Sequence, residues 1–254
     1  MDPGFKIREL FHVFVLRQLA GRLSARPYAV KGGICLRFFH RSPRLSEDMD
    51  VDVDRAVPVN TLQKNVDAIL GSDVLAASLH ALGIQTIHFT RPKQTETTQR
   101  WKTDLIRTGG ERLSTKLEFS RRGLSLDITK GSPSPDVLRE AFLAPFAAAY
   151  YAAPMMVHQK ILALASPSRT AARDLFDLHH LLFTLQTPLE AMRETVGATL
   201  LEEATEKIGR FEFQDFQDQV LPYLPEDLRN LYGSASAFLA LRQAVETRLM
   251  GLLT

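Results

Sequence analysis

Residues 48–53 read Asp48-Met49-Asp50-Val51-Asp52-Val53, and this alternation restricts the fold more than any other stretch of the chain. An extended strand sends alternate side chains to opposite faces, so Asp48, Asp50 and Asp52 share one face and Met49, Val51 and Val53 the other. The apolar face must pack on a core. The carboxylate face must meet solvent, opposite charge or a cation, because like charges crowded on a strand are destabilising. Hard oxygen ligands of this kind favour Mg²⁺ or Mn²⁺. Upstream stands Lys31-Gly32-Gly33-Ile34-Cys35-Leu36-Arg37. Tyr28 to Lys31 reads as a short strand and Ile34 to His40 as a helix, so the two glycines fall at the junction. There they let the backbone approach a ligand closely and expose N–H groups at a helix start, the geometry that receives phosphate. Singly, each feature has a plain structural reading, a turn for the glycines and a solvated edge strand for the aspartates. A calcium loop needs a glycine and a distal Glu that this run lacks. Together they point to metal-dependent phosphoryl or nucleotidyl transfer.

The chain has 254 residues, enough for one large domain or two modest ones, and two are expected. Hydrophobic residues at 45% and charged residues at 24% fit a globular protein, without low-complexity tract or internal repeat. The single cysteine, Cys35, excludes an intramolecular disulfide, and the start from Met1 to Lys6 has no apolar signal region. With no apolar run near the roughly 20 residues a membrane helix needs, a soluble, cytoplasmic protein is expected. Charge is unevenly spread. Residues 1–130 hold 21 basic against 14 acidic groups, and residues 131–254 hold 10 against 15. From Arg91 to Lys130 there are ten basic groups, Arg121 and Arg122 among them, against five acidic ones, which suits a polyanion such as RNA or a nucleoside triphosphate.

Apolar spacing at Ile7, Leu10, Phe11, Phe14 and Leu19 predicts an opening helix to about Ser24. Val59 to Leu82 suits one long helix, Ile84 to Thr90 a strand, and Pro92 to Thr98 a loop. Leu113 to Ser120 and Leu124 to Thr129 both alternate, meeting at Arg121-Arg122-Gly123 as a hairpin turn, with Glu118 and Asp127 on the polar faces. Gly131-Ser132-Pro133-Ser134-Pro135 then marks a change from strands to helices. The boundary is placed there, giving an α+β domain over residues 1–132 and a helical one over 133–254. Helices are expected over 155–165, 170–185, 190–207, 213–221 and 235–252. Lys160 lies in an otherwise apolar helix, where a partly desolvated ammonium can pair a phosphate and a snorkelling side chain is the plain alternative. Asp174 and Asp177 occupy adjacent turns of the next helix. An Arg173–Asp177 pair at i and i+4, worth about 0.2–0.5 kcal/mol, is their plain reading.

The ordered set Lys31-Gly32-Gly33, Ser46-Glu47-Asp48-Met49-Asp50, Lys116-Leu117-Glu118-Phe119, Lys160 and Arg173-Asp174-Leu175-Phe176-Asp177-Leu178 resembles the AbiEii toxin family, including the MenT-type toxins. The resemblance covers most of residues 1–185. It implies a DNA polymerase β-like nucleotidyltransferase fold, in which an α+β catalytic domain with a mixed sheet precedes an all-α helical bundle that completes the active-site cleft. It further implies that Asp48 and Asp50 bind metal, that Gly32, Gly33, Ser46 and Lys116 contact nucleotide, and that Glu118, Lys160 and Asp174 serve activity. Two Mg²⁺ ions about 3.5–4 Å apart would clamp the α-phosphate of a nucleoside triphosphate, with Glu118, or Asp127 in its place, orienting or deprotonating the nucleophile. Asp174 is ranked above Asp177 only because the family motif centres on it. Such toxins modify tRNA acceptor ends and are neutralised by a cognate antitoxin, in toxin–antitoxin or abortive-infection systems. One departure stands out: the family usually has Ser or Thr after the two glycines, and this chain has Ile34, so a hydroxyl contact to phosphate is missing while the amides of Gly33 and Ile34 remain.

Two other readings fit part of the pattern. A nucleotidyltransferase acting on a small molecule such as an antibiotic would want an acidic pocket, against which the basic 91–130 segment argues. A catalytically silent module of the same fold that binds RNA or a protein partner is the reading Ile34 favours.

Overall fold

Apolar periodicity builds the first helix and the run after Pro27 builds the first strand. The computed structural model describes residues 3–23, 27–124, 127–189 and 192–253. Helix α1 (Pro3–Arg22) buries Phe11, Leu16 and Leu19; the helix end expected at Ser24 lies outside the described residues. Strand β1 (Tyr28–Lys31) runs directly into α2 (Gly32–Phe39), and β2 (Asp48–Val53) follows. Two helices, α3 (Val59–Leu70) and α4 (Asp73–His80), replace the single helix expected over 59–82. Gly71 ends the first, and the Ser72 hydroxyl caps the second by accepting from the Leu75 amide at 3.2 Å.

Strands β3 (Ile84–Gln94) and β4 (Thr98–Arg107) form an antiparallel pair where the sequence analysis has a short strand and a loop. Pro92 does not break β3. It falls at a register irregularity on an edge strand, where its missing N–H is tolerated. With β5 (Arg112–Ser120), β6 (Ile128–Gly131), α5 (Pro135–Glu140) and β7 (Ala148–Tyr151), the chain completes a seven-stranded mixed sheet of order β3-β4-β5-β2-β1-β7-β6. The expected hairpin at Arg121-Arg122-Gly123 does not form. Both edges of β5 are taken, by β4 and by β2, and β6 pairs instead with β7 at the opposite edge of the sheet; residues 125 and 126 of that expected strand lie outside the described ones. On the packed face Met49, Val51, Trp101, Leu117 and Phe119 are buried, and the Trp101 indole N–H donates to Asp67 of α3 at 2.9 Å.

The chain forms two compact units, one of residues 2–41 with 45–151 and one of 42–44 with 152–254. The Gly131–Pro135 segment lies within the first, because β7 follows it in the sheet. The second unit contains α6 (Ala153–Ala165), α7 (Ala172–His179) continued by a π-helical turn at His180–Thr184, α8 (Met192–Val196), α9 (Ala198–Gly209), α10 (Phe213–Gln219) with a 3₁₀ turn at Leu221–Tyr223, α11 (Glu226–Tyr232) and α12 (Ala235–Met250). Gly197, at φ 85°, divides the run expected as one helix over 190–207, of which residues 190 and 191 lie outside the described ones. Leu164, Leu175, Phe176, Leu201, Ile208, Phe216 and Val245 form its core. Among the described residues no helix is long and apolar enough to cross a membrane.

Arg121 corrects the charge reading: it is buried, and its guanidinium donates to the Glu96 and Arg55 carbonyls, both at 3.3 Å, so it holds loops together and does not face a polyanion. Arg121→Glu is expected to lower stability by about 3–5 kcal/mol, since it buries an uncompensated charge, whereas Arg122→Glu at an exposed site should change it by less than about 0.5 kcal/mol. Urea unfolding of the two variants checks this, and equal midpoints would refute it.

Candidate active site

The turn from β1 into α2 is built on Gly32, whose φ of +67° lies in the left-handed region. A Cβ at this position would stand 2.9 Å from Oδ2 of Asp50, so the approach of turn to carboxylate excludes a side chain as well. Lys31 makes no side-chain cap at the start of α2, which leaves the first-turn N–H groups available to an anion. Ile34, where the resemblance expects a hydroxyl, is buried in the core.

The strand ladder sets Lys31 opposite Asp50, Asp50 opposite Glu118, and Asp48 opposite Lys116, and directly opposed residues share a face. Lys116 Nζ lies 3.1 Å from Asp48 Oδ2 and 3.9 Å from Glu118, while Arg100 on β4 reaches Glu118 at 2.7 Å. Asp52 differs from the other two aspartates. It is buried, with Lys31 at 2.5 Å and the Tyr151 hydroxyl donating to it at 2.8 Å. Asp50 makes no ion pair or side-chain hydrogen bond among the described residues. Burial pushes its carboxyl above the ordinary value; Lys116 opposes this, and the neighbouring Asp48 charge adds to it.

The described residues contain no cluster of three or more His, Cys, Asp or Glu side chains able to hold a metal ion. Asp48 and Asp50 nevertheless fit a hard divalent cation. Mg²⁺ commonly takes one or two protein carboxylates and completes its shell with water and substrate phosphate, and a cation would relieve the unpartnered charge on Asp50. Ser46 lies just ahead of β2, its hydroxyl donating to the Asp48 carbonyl at 3.1 Å. The same strand end is braced through α1. The Thr115 hydroxyl donates to the Glu47 carbonyl at 2.6 Å, which commits its only proton, so the His12 Nε2–H must donate to Thr115 at 2.7 Å. Burial lowers the His12 imidazole to about 3 and keeps it neutral.

Lys160 and Asp174 meet in the helical unit. Lys160 Nζ lies 2.7 Å from Asp174 and 2.6 Å from Asp177, and all three are buried. Arg44 forms a two-pronged pair with Asp177, Nε to Oδ1 at 2.9 Å and Nη2 to Oδ2 at 2.8 Å, and Arg169 reaches Asp174 at 2.7 Å. Burial alone would raise both carboxyls, but Arg44 and Lys160 hold Asp177 far below the usual range, and Lys160 and Arg169 hold Asp174 below it. Burial would likewise lower the Lys160 ammonium, and the two carboxylates outweigh it. The Arg173–Asp177 pair of the sequence analysis is not made; the Arg173 guanidinium lies over the Tyr223 ring at 6.0 Å. The sequence alone does not single out Arg44, because nothing local links it to a carboxylate 133 residues away.

Glu118 is thus set beside Asp50 across the ladder, whereas Asp127 is not. It precedes β6, which β2, β1 and β7 separate from β5. Because the unfolded chain takes up protons on Asp174 and Asp177 as pH falls through about 4, and the folded chain resists doing so, stability is expected to drop below that pH. Asp177→Asn should flatten this slope and lower stability near neutrality by about 3–5 kcal/mol through the unpaired Arg44. Denaturant titrations at several pH values test it, an unchanged slope being the contrary result.

Comparison with known proteins places this geometry. The sequence model of the family described as nucleotidyl transferase AbiEii toxin, Type IV TA system, matches residues 15–244. Among solved structures, MenT4, a nucleotidyltransferase toxin from Mycobacterium tuberculosis H37Rv, aligns with a TM-score of 0.63 at 16% identity over 99% of this chain and 85% of that one. JHP933 from Helicobacter pylori aligns at 0.58 and 19% identity over 99% and 95%. A putative nucleotidyltransferase from the same organism gives 0.58 and 19% over 99% and 98%. These likenesses show the fold, a mixed sheet followed by helices; comparison with curated protein sequences finds no match. The family match spans the glycine turn, the Asp48–Asp50 strand and the Lys160–Asp174 pair alike, and the chain belongs to the AbiEii nucleotidyltransferase toxin family.

Proposed function

We propose that this toxin nucleotidyltransferase transfers a nucleoside monophosphate from a nucleoside triphosphate to a hydroxyl of RNA, in a Mg²⁺-dependent reaction, with a tRNA acceptor end as the substrate to which the family resemblance points. The observation that carries the reading is the approach of the Gly32 turn to Asp50, beside an Asp48 that shares its strand face. In the reaction the acceptor oxygen bonds to the α-phosphorus, the bond to the β-phosphate oxygen breaks, pyrophosphate leaves, and the hydroxyl proton passes to a base.

Gly32, Gly33 and the first-turn amides of α2 receive the phosphates, with Lys116 adding positive charge and Ser46 holding the entry to β2. A divalent cation bound by Asp48 and Asp50 supplies neutralisation of the phosphate charge. Glu118, opposite Asp50, orients the nucleophile or takes its proton. Lys160 and Asp174 enter on the family resemblance alone, which implies that they serve activity; within the helical unit Lys160 pairs with both Asp174 and Asp177. The family implies a cognate antitoxin. A cytoplasmic site of action follows from the substrates.

Asp48→Ala and Asp50→Ala are each expected to remove Mg²⁺-dependent incorporation of labelled nucleotide into total RNA by at least about 100-fold, with unfolding midpoints retained. Near-normal incorporation by both variants at saturating Mg²⁺ would sink the assignment.

A further inference from the structure

Beside Asp48 and Lys116 the carboxylate face of the sheet opens into a cavity of about 410 Å³, lined also by Thr90, Lys102, Asp104 and Ser114. The ladders order these side chains in rows. Asp48 stands opposite Lys116, Lys116 opposite Lys102, and Lys102 opposite Thr90, while Ser114 stands opposite Asp104. Two more cations of that face, Arg100 and Lys93, face each other one row away.

The sheet order gives this cavity a direction. The glycine turn lies on the β1 side of Asp48 and Asp50, and the cavity lies on the β5, β4 and β3 side. In a nucleotidyl transfer the attacking and leaving oxygens stand roughly in line on opposite sides of phosphorus. A triphosphate taken by the glycine turn therefore leaves the cavity side for the acceptor.

The lining has the chemistry of a ribonucleotide site. Lys102 is exposed and makes no ion pair among the described residues, unlike Lys116, which pairs with Asp48. Its ammonium is a compact charge suited to a phosphate. Asp104 accepts from the Ser114 hydroxyl at 2.6 Å, and its second oxygen lies 3.7 Å from Arg112, so lone pairs remain for a ligand hydroxyl. We propose that this cavity holds the 3′-terminal ribonucleotide of the acceptor strand, with Lys102 on the phosphate preceding it and Asp104 on a ribose hydroxyl. The assignment deepens the RNA-transfer reading and rests on it.

Fluorescence anisotropy with a 5′-labelled single-stranded RNA hexamer bearing a free 3′-terminal diol tests it, using the full chain. Lys102→Ala should raise the Kd at least about fivefold and make the log–log salt slope shallower by about 0.7, one single-strand phosphate contact. Lys102→Arg should restore both. Asp104→Asn should narrow the preference for RNA over a DNA hexamer of the same sequence, and nucleoside triphosphate affinity should stay unchanged in every variant. Unchanged RNA affinity in Lys102→Ala, or no hexamer binding by the unaltered protein, overturns the proposal. A parallel loss of triphosphate affinity does so too, since the cavity would then belong to the nucleotide. Hexamer binding that depends on Lys102 in a protein unable to label RNA would instead reject the transfer reading and leave the binding site standing.

Discussion

Strand β2 is held from both edges, antiparallel to β1 and parallel to β5, and the chemistry depends on that double constraint. A strand paired on one side can slip by a residue and turn its side chains over. Here a slip would carry Asp48 and Asp50 into the core and Met49 and Val51 out of it. The parallel pairing needs a long crossover, and α3, α4, β3 and β4 supply it. Much of the sheet unit can be understood as what is required to lay β5 beside β2 in one register.

Electrostatics divides the charged groups into two kinds. Around Asp177 every charge is answered, with buried Arg44 and Lys160 and the more exposed Arg169 meeting two buried carboxylates. Such networks add little net stability over an apolar core, but removing a member strands the others. On the sheet face the compensation is incomplete: among the described residues Asp50 makes no ion pair or side-chain hydrogen bond, and Lys102 makes no ion pair. Unanswered charge of both signs on one surface suits a polyanion brought in together with a cation.

Legibility followed the range of the physics. The Asp48–Val53 alternation and the glycine turn are local patterns, and they appear where the sequence places them. Pairing is not local. Alternation marks β5 as a strand without naming its neighbours, so the same pattern at residues 124–129 predicts a hairpin that β2 and β4 exclude by occupying both edges. Strand β4 carries the same signal in Trp101, Thr103 and Leu105, obscured by the charged and polar residues between them. Nor could composition separate a buried Arg121 from an exposed Arg122, since only tertiary contacts tell them apart.

Residues 42–44 give the chain an unusual partition, for they sit in sequence between α2 and β2 yet fold with the helices. The division between the units is therefore not a single point in the chain. A polypeptide ending at Tyr151 would retain the Arg44 guanidinium and lose both oxygens of Asp177 that satisfy it. A polypeptide beginning at Ala152 would keep Asp177 and lose the guanidinium. Each fragment would leave one member of that buried pair without its counterpart, and a change at Ser42 or Arg44, in the short loop ahead of the carboxylate strand, is a change in the interior of the helical unit.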